Sequence, residues 1–294
     1  MSAVTPSTAI PVGVPDRAAP SKLARFAMAV GRRIVRFIST VWLLAALLLL
    51  WQWAASRSTS LFFPPVSTIF STVREEFFSG SVGTLFTTET FRENVFASLS
   101  RAGRGWLFAL IIGTTVGVIV GMSRNVAFAL TPLIRFLMSI PATVLLPLAV
   151  VLFGVTSSMN VFLIAFGSMW VILVNTMDGV RHIDETSLLT ARSLHLSRWR
   201  TFFKVLLPGA SPQIFSGIRI SIGIGLILMV VSELFAAASG IGYYIVYAQR
   251  MFNYNQVWAG VFLLAIIGIL VNLIAVTIER RVLRWHIQSR SHNE

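Results

Sequence analysis

The sequence contains no cysteine, which excludes disulfides, thiolate metal sites and cysteine nucleophiles. Charge is scarce too: 12% of the 294 residues are Asp, Glu, Lys or Arg, against about 25% in an ordinary soluble domain. Acids are the scarcest, 11 beside 24 Lys and Arg, which leaves a net charge of +13. The four histidines, His182, His195, His286 and His292, show no metal-ligand spacing. No G-x-x-x-x-G-K-[ST] segment is present, so the chain has no loop of that kind to cradle nucleotide phosphates. The ten-residue alternating segments of an outer-membrane barrel are missing as well.

What the chain has instead is apolar length. It is 55% hydrophobic, with several apolar runs near the ~20 residues that cross a bilayer as a helix. Because an open sheet leaves its backbone unsatisfied in lipid, these runs predict an all-α integral membrane protein. Six spans are expected: Phe37 to Ala55, Trp106 to Met122, Pro132 to Val155, Val161 to Met177, Ile214 to Ala236 and Val257 to Ile278. Trp42, Trp51 and Trp53 suit interface anchors for the first. That first run is too long and too far in for a cleaved signal peptide, so it is expected to remain in the mature protein.

The net positive charge lies beside the spans, which reads as membrane orientation rather than nucleic-acid binding. Lys22, Arg25, Arg32, Arg33 and Arg36 precede the first span, and Arg280, Arg281, Arg284 and Arg290 follow the last. Both termini are therefore expected in the cytoplasm of a bacterial cell, in its inner membrane. The expected divisions are a disordered basic tail over 1–36, the first span and an external segment over 37–102, a five-span core over 103–280 and a basic tail over 281–294. Within the core, the 178–213 loop is cytoplasmic. The 56–105 loop is external and carries Arg57, Arg74, Arg92, Arg101 and Arg104, with a short surface helix after Pro64 and Pro65.

Several features inside the spans carry chemistry. Glu233 is the one acid of the fifth span. It faces the bundle interior or a watery pathway, or it sits near the outer surface or pairs with an arginine. Gly240 and Gly242 follow and end the helix or form a turn. Pro141 and Pro147 each remove a backbone donor, so the third span is expected to kink or unwind and to serve as a pathway wall or gate. Asn175 and Thr176 line a pore or bond a neighbouring helix. Arg135, in the first turn of a helix starting near Pro132, and Arg219 read as snorkelling side chains. Gly113, Gly117 and Gly121, four residues apart, predict a face packed closely on another helix.

The 178–213 loop reads as a helix–turn–helix. "DETSLLTARSL" has acids at its start and Arg192 near its end, in keeping with the helix dipole. His195 and Leu196 make the turn, and Ser197 caps a second helix that carries Trp199, Phe202, Phe203 and Leu206 on one face until Pro208 stops it. Such a hairpin either lies on the membrane surface or docks a cytosolic protein.

This loop resembles the cytoplasmic loop of the permeases of binding-protein-dependent ABC importers. There the pattern is Glu-Ala-Ala, three residues, Gly, nine residues, Ile-x-Leu-Pro. Ala191 matches the second alanine, and Val205, Leu207 and Pro208 match the ending with the nine-residue gap intact. Leu189, Thr190 and His195 stand where the family has Glu, Ala and Gly. "SIPATVLLPLAVVLFGV", "VNTMDGVRHID", "SELFAAASGIGYYI" and "LFFPPVSTIF" resemble segments of the nitrate, taurine and aliphatic-sulfonate permease group.

The resemblance implies a permease subunit without catalytic residues. It implies a second, identical copy, a cytosolic ATPase dimer that binds ATP and Mg, and a periplasmic or lipid-anchored solute-binding protein. No cofactor is expected on this chain. The coupling loop would comprise Leu188, Leu189, Thr190, Ala191, Arg192, Leu194, His195, Leu196, Val205, Leu207 and Pro208. In it Leu188, Leu189 and Leu194 would supply an apolar docking contact in place of the missing glutamate. The group imports small anions but also unrelated solutes such as thiamine precursors. A secondary transporter would need inverted repeats or several buried charges, and an intramembrane enzyme a catalytic constellation; neither pattern is present in the sequence.

Overall fold

The computed structural model describes Ser39 and residues 42–283. The expected tail 1–36 with its basic cluster, the start of the first span at Phe37, and Arg284, His286, Arg290 and His292 lie outside the described residues. Among those described, every regular element is helical. Helix α1, residues 42–57, belongs to a unit of its own that ends at Arg57. In it the Arg57 guanidinium sits 4.3 Å over the Trp53 ring, a cation–π contact suited to the membrane interface.

The second unit begins at Ser58 and holds α2 (Val66–Phe78), α3 (Phe91–Met122), α4 (Arg124–Met138), α5 (Leu146–Phe153) and α6 (Ser157–Arg181). These are followed by α7 (Glu185–Ser193), α8 (Arg198–Phe235), α9 (Ile241–Arg250) and α10 (Tyr254–Val282). Helices α3, α6, α8 and α10 are long and apolar enough to cross a membrane, and α4 with Ala142–Phe153 makes a fifth candidate bent by 76°.

Helix α6 is the centre of the bundle. The glycine face of α3 lies against it as its spacing predicts. A Cβ on Gly113 would fall 2.8 Å from the Met169 carbonyl oxygen, and one on Gly117 2.7 Å from that of Leu173. On its other side α6 meets α8, where a Cβ on Gly217 would lie 2.7 Å from Asn175 Cβ. Helix α4 is amphipathic, with Ala127 and Ile134 buried against Val120, Trp170 and Leu173. The expected surface helix exists as α2, which packs on α10 through ring pairs such as Phe70 with Phe262 at 4.9 Å.

Four expectations are corrected. Helix α3 begins at Phe91 rather than near Trp106, in a π-helical turn over Phe91–Phe96. Arg92, Arg101 and Arg104 are therefore helix residues and not part of an external loop. Helix α4 begins at Arg124, capped by the Ser123 hydroxyl, so Pro132 is interior and Arg135 stands in the last turn instead of the first. Pro208 does not stop its helix. A π-helical turn over Phe202–Leu206 carries the chain past it, with the Leu207 N–H bonded to the Phe202 carbonyl. Pro208 then opens the α-helical stretch Leu207–Phe235, where its missing donor costs nothing. Finally, the stretch 237–256, expected as an outer loop between the last two spans, contains helix α9.

Candidate functional site

The hairpin between α6 and α8 forms as the sequence predicts, and its caps explain why. The Asp184 carboxylate accepts from Ser187 N–H at the start of α7, and the Ser197 hydroxyl accepts from Arg200 N–H at the start of α8. Between them His195 has φ 50°, the left-handed region that glycine enters freely and other side chains enter at a cost. The His195 N–H bonds the Arg192 carbonyl at 2.9 Å, and the Leu196 N–H bonds that of Ala191 at 3.1 Å. This nested pair is the Schellman closure, which holds His195 where the family pattern has glycine. We expect His195→Gly to stabilise this turn by about 1 kcal/mol. Slower hydrogen exchange at the Leu196 amide would register the gain, and faster exchange would contradict it.

The hairpin sorts its residues into two surfaces. Ala191 is buried, while Val205, Leu207 and Pro208 are half-buried. Ala191, Leu196, Val205 and Pro208 line a groove of about 570 Å³ between α7 and the start of α8, with Thr190 and Leu194 at its exposed rim. Thr190 and Arg192 are exposed, as are Leu189 at 51% and Leu194 at 67%. Leu188 turns the other way, half-buried, towards α4. On α8, Trp199 stacks on Phe203 at 6.0 Å.

The bent span owes its shape to its prolines. Helix α4 ends at Met138, and Pro141 is extended, with φ −60° and ψ 125°. Pro147 falls in the first turn of α5, where no donor is needed. Asn175 bonds within the bundle: its Nδ2 donates to the Val171 carbonyl, and its Oδ1 accepts from Gln213 on α8. Arg219 pairs with Glu279 at 3.6 Å.

Glu233 takes the paired alternative. It is 1% exposed, and its Oε1 lies 2.9 Å from Arg101 Nη1. The Ser98 hydroxyl sits 2.7 and 2.8 Å from the two carboxylate oxygens and donates to them. The Gly242 N–H donates to Oε2 at 3.1 Å. Arg101 gives three further donors to the Ser239 carbonyl and hydroxyl and to the Ser157 hydroxyl. The turn into α9 is sewn to the same place: Gly240 N–H donates to Asn94 Oδ1, and Ile241 N–H to the Ser98 oxygen. Gly240 has φ 118°, and any Cβ there would collide with the Glu233 carboxylate. One buried ion pair thus ties α3, the end of α8 and the start of α9.

The sequence reading missed Arg101, Ser98, Asn94, Ser157 and Ser239 at this node. A signal for three of them was available. Asn94, Ser98 and Arg101 continue the α3 face that holds Gly105, Ala109, Gly113 and Gly117, all of which are buried.

Residues 109–284 match the family described as binding-protein-dependent transport system inner membrane component. The putative aliphatic sulfonates transport permease protein SsuC of Bacillus subtilis (strain 168) is 34% identical over 188 residues, 64% of this chain and 68% of that one. The taurine transport system permease protein TauC of Escherichia coli (strain K12) is 30% identical over 90% of this chain and 95% of its own length. The nitrate import permease protein NrtB of Leptolyngbya laminosa is 31% identical over 91% and 95%.

Among solved structures, the inward-facing MetNI methionine ABC transporter superposes with TM-score 0.57 at 22% identity, over 67% of this chain and 99% of that one. The bacterial alginate ABC transporter gives 0.56 at 16%, over 85% and 98%. At those identities the structures speak for the fold. The family match runs from the glycine face of α3 through the bent span, the hairpin and Glu233 to the end of α10. The chain belongs to the binding-protein-dependent transport system inner membrane components, the permeases of ABC importers.

Proposed function

We propose that this permease imports a small anion of the sulfonate, taurine or nitrate type and that α7 is its coupling element. Two copies of the chain form the pathway. A cytosolic ATPase dimer, made of separate chains that bind ATP and Mg, receives one α7 from each copy, and an extracytoplasmic binding protein delivers the solute. The 178–213 loop, the tail 1–36 and the tail 281–294 face the cytoplasm; 37–102 comprises the first span and an external segment, and 103–280 the permease core. ATP-driven closure of the ATPase dimer moves α7, and the continuous helix α8 carries that motion into the bundle. The bent span, with Pro141 and Pro147, and Asn175 border the pathway. Glu233, with Gly240 and Gly242, holds its far end in shape.

The observation that supports this reading best is the hairpin itself. A short helix capped at both ends holds Leu189 and Leu194 out into solvent, although burial of such side chains is favourable. A partner surface gives that exposure a use. Leu189→Asp places a charge in the docking contact and is expected to weaken ATPase binding about 30-fold or more, as central interface residues do. Co-purification of the ATPase with the affinity-tagged permease is the readout. Loss of the ATPase from Leu189→Asp, with retention by Leu189→Met, is the expected result; an intact complex with normal uptake would overturn the coupling role.

A further inference from the structure

A cleft of about 1000 Å³ opens between α4, the ends of α3 and α6, α7 and the start of α8. Arg124, Arg135 and Arg181 line it, with no carboxylate in its wall. Among the described residues none of the three forms an ion pair, although Arg101 and Arg219 do. The sequence of α4 builds this arrangement. Ile134 lies on its buried side and Ala127 at the border, and Arg124, Phe128, Thr131 and Arg135 follow one another along the cleft side at the spacing of a single helical face.

Arg135 belongs to a segment apolar enough to form part of a span. An arginine at that depth without a counter-ion is costly unless it faces a watery cavity or a ligand. Eleven residues of helix put the Cα atoms of Arg124 and Arg135 about 16 Å apart, so the charges mark a track rather than a point. Apolar walls around like charges concentrate the field and attract ions of the opposite sign. The planar fork of arginine matches the paired oxygens of a carboxylate, sulfonate, nitrate or phosphate.

We infer that this cleft binds small oxyanions along the track of Arg124, Arg181 and Arg135, with Arg135 as the innermost contact. The occupant is a small free oxyanion on its way through the protein. Leu188 of α7 lines the same cleft, so a displaced α7 changes the shape of the site. The role of the cleft in passage rests on the proposed import of anions, whereas its occupancy is read without ATP, ATPase or transport.

The test uses the full-length chain in nanodiscs of phosphatidylcholine alone, labelled with the arginine reagent phenylglyoxal and analysed by peptide mass spectrometry. Ethanesulfonate is the probe, against chloride at equal ionic strength. At ten times its dissociation constant, ethanesulfonate should slow labelling of Arg135 about tenfold, while exposed Arg250, outside the cleft, is unaffected. Arg124→Gln removes a positive charge from the approach to Arg135 and should raise the half-protecting concentration there about fivefold. Equal labelling in ethanesulfonate and chloride overturns the site. Protection that arises only when phosphatidylglycerol is added, without any from free ethanesulfonate, overturns the free-anion occupant and assigns the cleft to a lipid headgroup. Failure of the ATPase to co-purify would sink the coupling role yet leave the protection result standing.

Discussion

Arg101→Ala should be the most damaging single substitution at the α3–α8–α9 junction. It removes the partner of a carboxylate that is 1% exposed, and breaking one side of a buried ion pair costs about 3–5 kcal/mol. The loss reaches beyond the pair, because the Ser239 carbonyl, the Ser239 hydroxyl and the Ser157 hydroxyl all lose their donor with it.

Glu233→Gln keeps the shape but replaces one acceptor oxygen by a donor. That amide must then face Arg101 Nη1 or the Gly242 N–H, both of which are donors themselves. A smaller loss is expected for Glu233→Gln, with transport impaired and assembly retained. The double variant Arg101→Ala/Glu233→Ala should be less unstable than the two single losses added together, since it leaves no lone charge. Thermal unfolding of the purified permease in detergent ranks the variants against the wild type. A wild-type midpoint for Arg101→Ala would remove the ion pair from any structural role, and wild-type uptake by Glu233→Gln would limit its carboxylate to packing.

The features legible in the sequence were those whose cause lies within a few residues. Asp184 and Ser197 sit next to the donors they cap. Gly113, Gly117 and Gly121 repeat at helical spacing, and Pro141 and Pro147 act on their own backbone. The tolerance of histidine for a left-handed backbone is likewise a local property, and His195 has φ 50°.

The features that were not legible depend on distant partners. Arg101 meets Glu233 and Ser239 across 132 and 138 positions. With no partner in view, an arginine just outside an apolar run reads as loop. Pro208 shows a second kind of concealment. Its local signal says stop, but a π-helical turn just before it absorbs the missing donor, and the second helix of the hairpin and the span become one helix. That continuity is what the proposed coupling role asks of α8, and residue propensity does not express it. Arg135 falls at the end of its helix rather than the start because the cap is Ser123, beside Arg124, and Pro132 is carried in the helix interior.

Gly117→Leu should prevent α3 and α6 from docking. The added Cβ would lie 2.7 Å from the Leu173 carbonyl oxygen and 2.7 Å from Thr176 Cβ. The first of these is backbone and cannot swing aside as a long side chain can, so the helices must separate. Overpacking of this kind costs about 1–3 kcal/mol, and more where the obstacle is rigid. The damage extends along α3, because Asn94, Ser98 and Arg101 reach their partners only while the helix keeps its approach to the bundle. Gly103→Leu is the matched control: it lies on the same helix, with nothing within 4 Å of its added Cβ. There the change removes a helix-weakening glycine, a gain of up to about 1 kcal/mol. In membranes expressing each variant, fluorescence-detected size exclusion should show a single sharp peak for Gly103→Leu and aggregate or loss of protein for Gly117→Leu. Equal peaks would mean that α3 and α6 do not depend on close approach, and would undercut the same argument for the alignment of Arg101 with Glu233.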